Sequence, residues 1–351
     1  MSRISTLLRL LRWGFAFRRP NSPPILAFHV TTRCNMRCRH CGDDVWGDPA
    51  DDLPLEVIKN FSANLGDIQD LAIGGGEPFL RRDLPEICES FARNNNVRNL
   101  CIPTNGFATE IICNTLERIL SACPDTNIAV SLSIDGFRDT HDSIRMRDSF
   151  DRLLSTASQL CEIRNRNQNF SFFFNSTINN LNWRELPELA KHVRDKFQTH
   201  LDFNLLTGTP RDVTIKLPTQ EETTQAVDGI YAARHTSPLL SSQIRISRNY
   251  ILRTNAEGRQ IVPCRAGSLI AIVDANGDVR SCTLLPALGN LRKQSFSDIW
   301  QSSSAKRQHK WIVSGGCSCN NDCFVVNNLN NYWKLPFLML RMELKSFFSK
   351  T

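Results

Sequence analysis

The chain lacks a secretory signal. Arg3, Arg9 and Arg12 interrupt any apolar run in its first twenty residues, and no small-residue cleavage site follows. That absence points to a reducing, cytoplasmic compartment, where clustered cysteines bind metal more often than they pair as disulfides. No apolar run is long and charge-free enough to cross a bilayer, and there is no long internal repeat. The formal charge of +7 over 351 residues is too mild to demand an anionic partner. Basic residues are dispersed and not interleaved with aromatics into a stacking surface, so nucleic acid is not an expected partner. With 41% hydrophobic and 22% charged residues, the composition is that of a soluble globular protein. The length implies one large or two medium domains.

Cysteine, by contrast, is abundant. Of thirteen, five are scattered (Cys88, Cys101, Cys113, Cys123, Cys161) and read as small buried apolar residues. Eight are clustered. Cys34, Cys38 and Cys41 lie in "TTRCNMRCRHCG"; Cys264, Cys282, Cys317, Cys319 and Cys323 come late. Closed zinc sites and electron-carrier iron–sulfur clusters use four ligands. Three close-set thiolates therefore call for a fourth ligand from elsewhere or for a metal position left open.

From about residue 24, short apolar runs alternate with helical periodicity. "PILAFHV", "LAIGGGEP", "NLCIPTNG", "NIAVSLSIDG", "NFSFFFNSTIN" and "LDFNLL" read as strands, with helices between them. Asp52 is the expected N-cap of the first helix, with Pro54 in its first turn, and Asp83 that of the second. Such alternation predicts parallel pairing with right-handed crossovers, and continuous apolar strands imply cover on both faces. The polar motifs all follow strand ends, which in an α/β barrel puts them on one rim, where such folds carry their chemistry. Residues 207–260 read as a linker with one or two helices. Two β-rich runs then flank Asn276-Gly277, a hairpin signal.

The spacing Cys34-x3-Cys38-x2-Cys41 just after the first strand closely resembles the signature of the radical S-adenosylmethionine (SAM) superfamily. "GGGEP" (Gly74 to Pro78), "TNG" (Thr104 to Gly106), "SLSIDG" and "HDSIRM" resemble its later motifs in family order across residues 28 to 147. The resemblance implies an α/β fold, a partial (β/α)6 barrel of the TIM type open on one side, with a small C-terminal cluster-binding hairpin and helix. It implies a [4Fe–4S] cluster on Cys34, Cys38 and Cys41, whose open iron chelates SAM. It places Gly75, Gly76, Glu77, Pro78, Asn105, Ser133, Asp135 and Arg145 around SAM, with Arg145 suited to pair its carboxylate as a guanidinium fork. Arg33, Arg37 and Arg39 are candidates to raise the cluster's potential or hold that carboxylate. The implied chemistry is reductive cleavage of SAM to a 5′-deoxyadenosyl radical that abstracts hydrogen from a substrate. Its partners would be an electron donor such as flavodoxin or ferredoxin, and a small-molecule, lipid-linked or peptide substrate.

The late cysteines resemble the SPASM/twitch extension of that superfamily: twelve residues separate Cys264 from Gly277, and four separate Gly277 from Cys282. Two closed cubanes need about eight thiolates, and only five are present here, so a single auxiliary [4Fe–4S] cluster is expected. Four of Cys264, Cys282, Cys317, Cys319 and Cys323 would hold it. Two rivals stand beside this reading: a non-catalytic iron–sulfur scaffold and a zinc-binding interaction module.

At the ends, Ile4, Leu7, Leu8, Leu11 and Phe15 form one helical stripe, and "LPFLMLRMELKSFFSK" is apolar and basic. Both suit an interfacial helix on an anionic membrane, or packing against the protein itself. The chain thus divides into an amphipathic basic segment (1–22), a radical SAM core (23–215), a linker with helices (216–258), a SPASM/twitch-like unit (259–326) and an apolar, basic tail (327–351). No leader-peptide-binding segment is evident before the barrel, which favours a small-molecule or lipid-linked substrate.

Overall fold

The computed structural model describes residues 22–42, 48–234, 238–332, 334–335 and 337–339. The stripe at Ile4–Phe15 lies outside them. Six strands, β1 (Ile25–Thr31), β2 (Asp70–Gly75), β3 (Asn99–Thr104), β4 (Asn127–Ser133), β5 (Phe170–Ile178) and β6 (Leu201–Leu205), pair in parallel, each with the next. The helices between them are α1 (Leu55–Leu65), α2 (Leu84–Asn95), α3 (Thr109–Ala122), the short α4 (Arg138–Ile144), α5 (Ser149–Arg166) and α6 (Leu186–Phe197). The linker region holds α7 (Gln220–Ala232) and α8 (Pro238–Glu257).

The late hairpin joins this same sheet. β7 (Ile270–Val273) runs parallel to β1, and β8 (Asp278–Arg280) and β9 (Gly289–Asn290) follow antiparallel. The strand order is β6-β5-β4-β3-β2-β1-β7-β8-β9, an open sheet with β6 and β9 at its edges. Its turn is longer than the dipeptide alone requires: Asp274 N–H donates to Asp278 O, and Gly277 closes the loop at φ +94°. Three short helices complete the unit, α9 (Phe296–Gln301), α10 (Ser303–Val313) and α11 (Asp322–Asn330).

The expected two-sided cover of the six strands is not what forms. β3 and β6 alternate strictly in burial, and only one face packs into the core. Leu26, Phe28, Val30, Leu71, Ile73, Leu100 and Ile102 meet Ile58, Phe61, Ile87 and Phe91 of the helices. The other face carries small and polar residues, among them Ala27, Gly74, Asn99 and Cys101, because an incompletely closed barrel leaves that face to whatever enters it. β7 is the exception, buried throughout. Its Ala271 and Val273 join the main core, while Ile270 and Ile272 join a second apolar cluster with Cys282, Ile312 and Phe324.

Two caps differ from expectation. The residue at the N-cap of α1 is Pro54, with no side-chain cap, because Asp52 is spent elsewhere: its carboxylate accepts from Thr31 Oγ1 and from Thr32 N–H at 3.0 Å. Asp83 does sit at the N-cap of α2, but its carboxylate binds Arg81 instead of the helix. At the C-terminal end, Leu329, Leu335 and Met339 pack with Ile246 of α8 and Val262, so this part of the apolar tail lies against the protein. Among the described residues no helix is long and apolar enough to cross a membrane.

Candidate active site

The cysteine loop leaves β1 at Thr31 and is held from three sides. On one side is the GGGEP turn, where Gly76 N–H donates to Thr31 O at 2.8 Å and Glu77 N–H to Arg33 O at 2.8 Å. Gly75 takes φ +114°, and a Cβ there would lie 2.2 Å from Thr31 O, so only glycine lets these two backbones meet. Arg81 braces the loop's root by donating to Val30 O and Leu53 O. On the far side residues 211 and 212 lie along the loop: Arg211 N–H donates to Cys41 O at 2.7 Å, and Asp212 N–H to Arg39 O at 2.9 Å. Arg39 Nε returns a bond to Asp212 Oδ2 at 2.8 Å, which commits that arginine, while Arg33 and Arg37 are exposed.

Glu77 is buried, and its carboxylate ties two strand ends together, accepting from Asn105 N–H at 2.7 Å and from Phe79 N–H at 3.3 Å. Burial pushes this carboxyl up to about 7, against the pull of those donors. Asn105 in turn donates to Asn35 Oδ1 at 2.7 Å and lies 3.9 Å from Cys34 Sγ. Pro78 is buried and opens a short 3-10 turn, and Ser133 pairs with Asn175 across β4 and β5.

Beneath the loop sits a buried charge cluster. Asp135 is fully buried; its Oδ2 is 2.6 Å from Arg145 Nε and 3.6 Å from His40 Nδ1, and its Oδ1 accepts from Thr177 N–H at 2.9 Å. Burial alone would raise the Asp135 carboxyl, but the Arg145 guanidinium prevails and holds it below the usual carboxylate range. His40 and His141 are pushed down to about 4, chiefly by burial, and are neutral near pH 7. Arg145 Nη1 lies 3.9 Å from Cys38 Sγ, so the cation reaches the thiols from below. Cys38 is lowered to about 7 by the hydrogen bond from Cys41, against burial and with help from Arg145; Cys41 is raised as the partner that keeps the proton. Burial raises Cys34 to about 11.

Cys264, Cys282 and Cys317 meet in the second apolar cluster, with Cys319 in electrostatic reach of Cys282 and Cys317. Cys282 is pushed up to about 11, mainly by burial, with Cys319 and Cys264 adding like charge; Cys317 is raised the same way, with Cys264 and Cys319 beside it. Gln260 joins their loops: its Nε2 donates to Ile312 O at 2.9 Å and Cys317 O at 2.8 Å, and its Oε1 accepts from Cys264 N–H at 2.8 Å. Cys323 has a bond outside that cluster. It is exposed on α11, and its Sγ accepts from Asn204 Nδ2 at 3.1 Å at the end of β6. The donor sets suit iron–sulfur clusters: three mutually interacting thiols on one loop beside a cation, and Cys264, Cys282 and Cys317 in an apolar cluster with Cys319 in electrostatic reach. Among the described residues, no three His, Cys, Asp or Glu side chains gather closely enough for a single metal ion.

A family model for the radical SAM superfamily matches residues 28–226. The chain belongs to the radical SAM superfamily. A second model, for the SPASM iron–sulfur cluster-binding domain, matches residues 264–324 of this radical SAM protein. Among similar proteins, the AdoMet-dependent heme synthase of Methanosarcina barkeri is 28% identical over 309 residues, spanning 82% of this chain and 85% of that protein. In fold it resembles native anSMEcpe with bound AdoMet (TM-score 0.59, 15% identity, 90% of this chain and 98% of that one). It also resembles Streptococcus suis SuiB bound to precursor peptide SuiA (TM-score 0.59, 13% identity, 87% and 71%). The radical SAM protein is therefore an enzyme whose cofactors are a [4Fe–4S] cluster, SAM and auxiliary iron–sulfur, which sets aside the scaffold and zinc-module rivals.

Asp52, Arg81, Asp212 and Gln260 were not singled out as site residues from sequence, since each acts through partners distant along the chain. His40 could have been found: it stands inside the cysteine motif itself.

Proposed function

We propose that this enzyme reductively cleaves SAM and takes a hydrogen atom from a small molecule held in the open half-barrel. The observation that carries the reading is the three-thiol loop at the end of β1 bonded directly to the GGGEP turn at the end of β2. Cys34, Cys38 and Cys41 would hold a [4Fe–4S] cluster with one iron left for the amine and carboxylate of SAM. When bound, that pair supplies the 5′-deoxyadenosyl radical. The chain's own residues do the rest. Gly75, Gly76, Glu77 and Pro78 bring backbone carbonyls to the amine, and Asn105 and Ser133 stand at neighbouring strand ends. Arg145, held by Asp135, places a fixed cation beside Cys38; in this reading it compensates thiolate charge.

The auxiliary cluster would sit on Cys264, Cys282, Cys317 and Cys319. A small-molecule substrate is favoured because the heme synthase is 28% identical and matched across 85% of its length, whereas peptide-bound anSMEcpe and SuiB, at 16% and 13% identity, speak for the fold alone. A lipid-linked substrate would follow only if the terminal segments bind membrane.

The test is anaerobic reconstitution with iron and sulfide, reduction, addition of SAM, and quantification of 5′-deoxyadenosine. Nucleoside from the parent, with none from a Cys34/Cys38/Cys41→Ala variant, is expected. A parent carrying about eight irons that forms no nucleoside, alone or with a heme-precursor porphyrin, would defeat the reading.

A further inference from the structure

Between Ile299 and Asn321 there is no aspartate or glutamate, yet α10 within that stretch exposes Lys306, Arg307 and Lys310. None of the three forms an ion pair with a described residue, whereas Arg118, Arg138, Arg166 and Arg248, also on the surface, each meet a carboxylate. Exposed apolar side chains accompany them: Trp311 is 44% and Val313 47% accessible.

The opposite face of the same helix is different. Ala305 and Ile312 are fully buried, and Ile312 packs in the apolar cluster that contains Cys282, with Cys264 and Cys317 against it. Gln260 bonds the carbonyl of Ile312 to that of Cys317. The Trp311 indole lies on Gly316, the residue before Cys317. A body resting on the outer face of α10 is thus about one helix diameter, roughly 10 Å, from the auxiliary thiols.

We propose that this face docks an acidic one-electron carrier protein, such as a flavodoxin, which reduces the auxiliary cluster. The proposal rests on the reading that Cys264, Cys282, Cys317 and Cys319 hold a cluster. One electron leaves the reduced flavin and one enters the cluster; no bond is made or broken in the protein. An unpaired basic patch attracts an acidic surface and speeds encounter, with strong dependence on salt. The apolar residues at its centre supply the dry contact across which the electron passes.

The experiment compares the reconstituted parent with Lys306→Glu/Lys310→Glu and with a control of equal charge change on other exposed lysines, Lys191→Glu/Lys216→Glu. Binding of a purified flavodoxin is measured directly, and reduction of the auxiliary cluster is followed by electron paramagnetic resonance after rapid mixing with flavodoxin hydroquinone. At low salt the α10 variant should bind and be reduced at least about tenfold more slowly. The control should match the parent, and the difference should disappear near 0.5 M salt, roughly. Dithionite, which needs no docking face, should reduce the cluster equally in all three. Equal flavodoxin rates in all three would overturn the proposal. So would loss of binding to phosphatidylserine vesicles in the α10 variant with flavodoxin rates unchanged, which would assign the face to lipid. Failure of dithionite to produce any second cluster signal would instead overturn the cluster reading beneath it.

Discussion

Around Cys34, Cys38 and Cys41 the chain buries charge; around Cys264, Cys282, Cys317 and Cys319 it buries hydrocarbon. The first set stands over Arg145, Asp135 and His40, and Cys38 is drawn down to about 7 by Cys41, with Arg145 assisting against burial. In the second set Cys264, Cys282 and Cys317 are packed with Ile270, Ile272, Ile312 and Phe324, and burial pushes Cys282 up to about 11. A thiolate needs a counter-charge or a metal when water is excluded. The first site is therefore part-way prepared for thiolates by its own cation, whereas the second depends on iron for its charge balance.

That contrast breaks most sharply at the buried pair. Arg145→Met leaves Asp135 as an uncompensated buried carboxylate, and about 3–5 kcal/mol of stability should be lost. Asp135→Asn together with Arg145→Met should recover much of it. Urea unfolding of the three variants against the parent reads this directly. A single substitution costing less than about 1 kcal/mol would mean that water reaches the cluster beneath the loop.

Glu77 gives a pH signature of nearly the same size. Its folded carboxyl titrates at about 7, above the value of 4.5 expected when exposed, so the folded state binds its proton more tightly. The stabilisation is full below the exposed value and is lost as pH rises through about 7. Integrated over that window it amounts to about 3 kcal/mol. Buried His40 and His141, held near 4, add stability as pH rises toward 6.5 and oppose this slope. The Glu77 contribution is therefore read as the urea stability of the SAM-free parent minus that of Glu77→Gln, a difference that should fall between about pH 5 and pH 8.

The two sites were unequally legible. The first was readable because its motifs are contiguous and follow strand ends, and parallel α/β topology gathers strand ends on one rim. Arg39–Asp212 was not, since the pair spans 173 residues and neither member has a local signature. Asp52 beside Pro54 looked like a helix cap, but the Thr31–Thr32 turn offers it three donors at the mouth of the site. Two-sided burial was inferred from apolar strand runs, yet an open barrel leaves one face to small and polar side chains. At the second site the hairpin was legible in Asn276-Gly277, but its pairing beside β1 was not, because nothing local to β7 names its neighbour.

A smaller effect belongs to Gln260, the polar tie in the apolar site. Gln260→Leu removes bonds to three backbone groups and should cost about 1–3 kcal/mol. It should also lower reconstituted iron from about eight toward four per chain, with the SAM-site signal unchanged. Iron retained in full would show that the four thiols alone define the pocket.

The smallest change is expected at Cys323. Its thiol accepts from Asn204 at the edge of β6, whereas Cys319 lies within electrostatic reach of both Cys282 and Cys317. Cys323→Ser keeps an acceptor for Asn204 and removes no thiol from the group of four. Stability should shift by less than about 1 kcal/mol, the scale of one exposed hydrogen bond. Iron content and the auxiliary resonance should match the parent. Cys319→Ser should lose or convert that resonance, because oxygen is a poor substitute for a thiolate on iron. The reverse outcome, with Cys323→Ser losing the signal, would require α11 to swing its first turn away from Asn204 and into the apolar pocket when iron binds. The second site would then be assembled by its cluster and not merely filled by it, and the contrast with the braced first loop would be wider still.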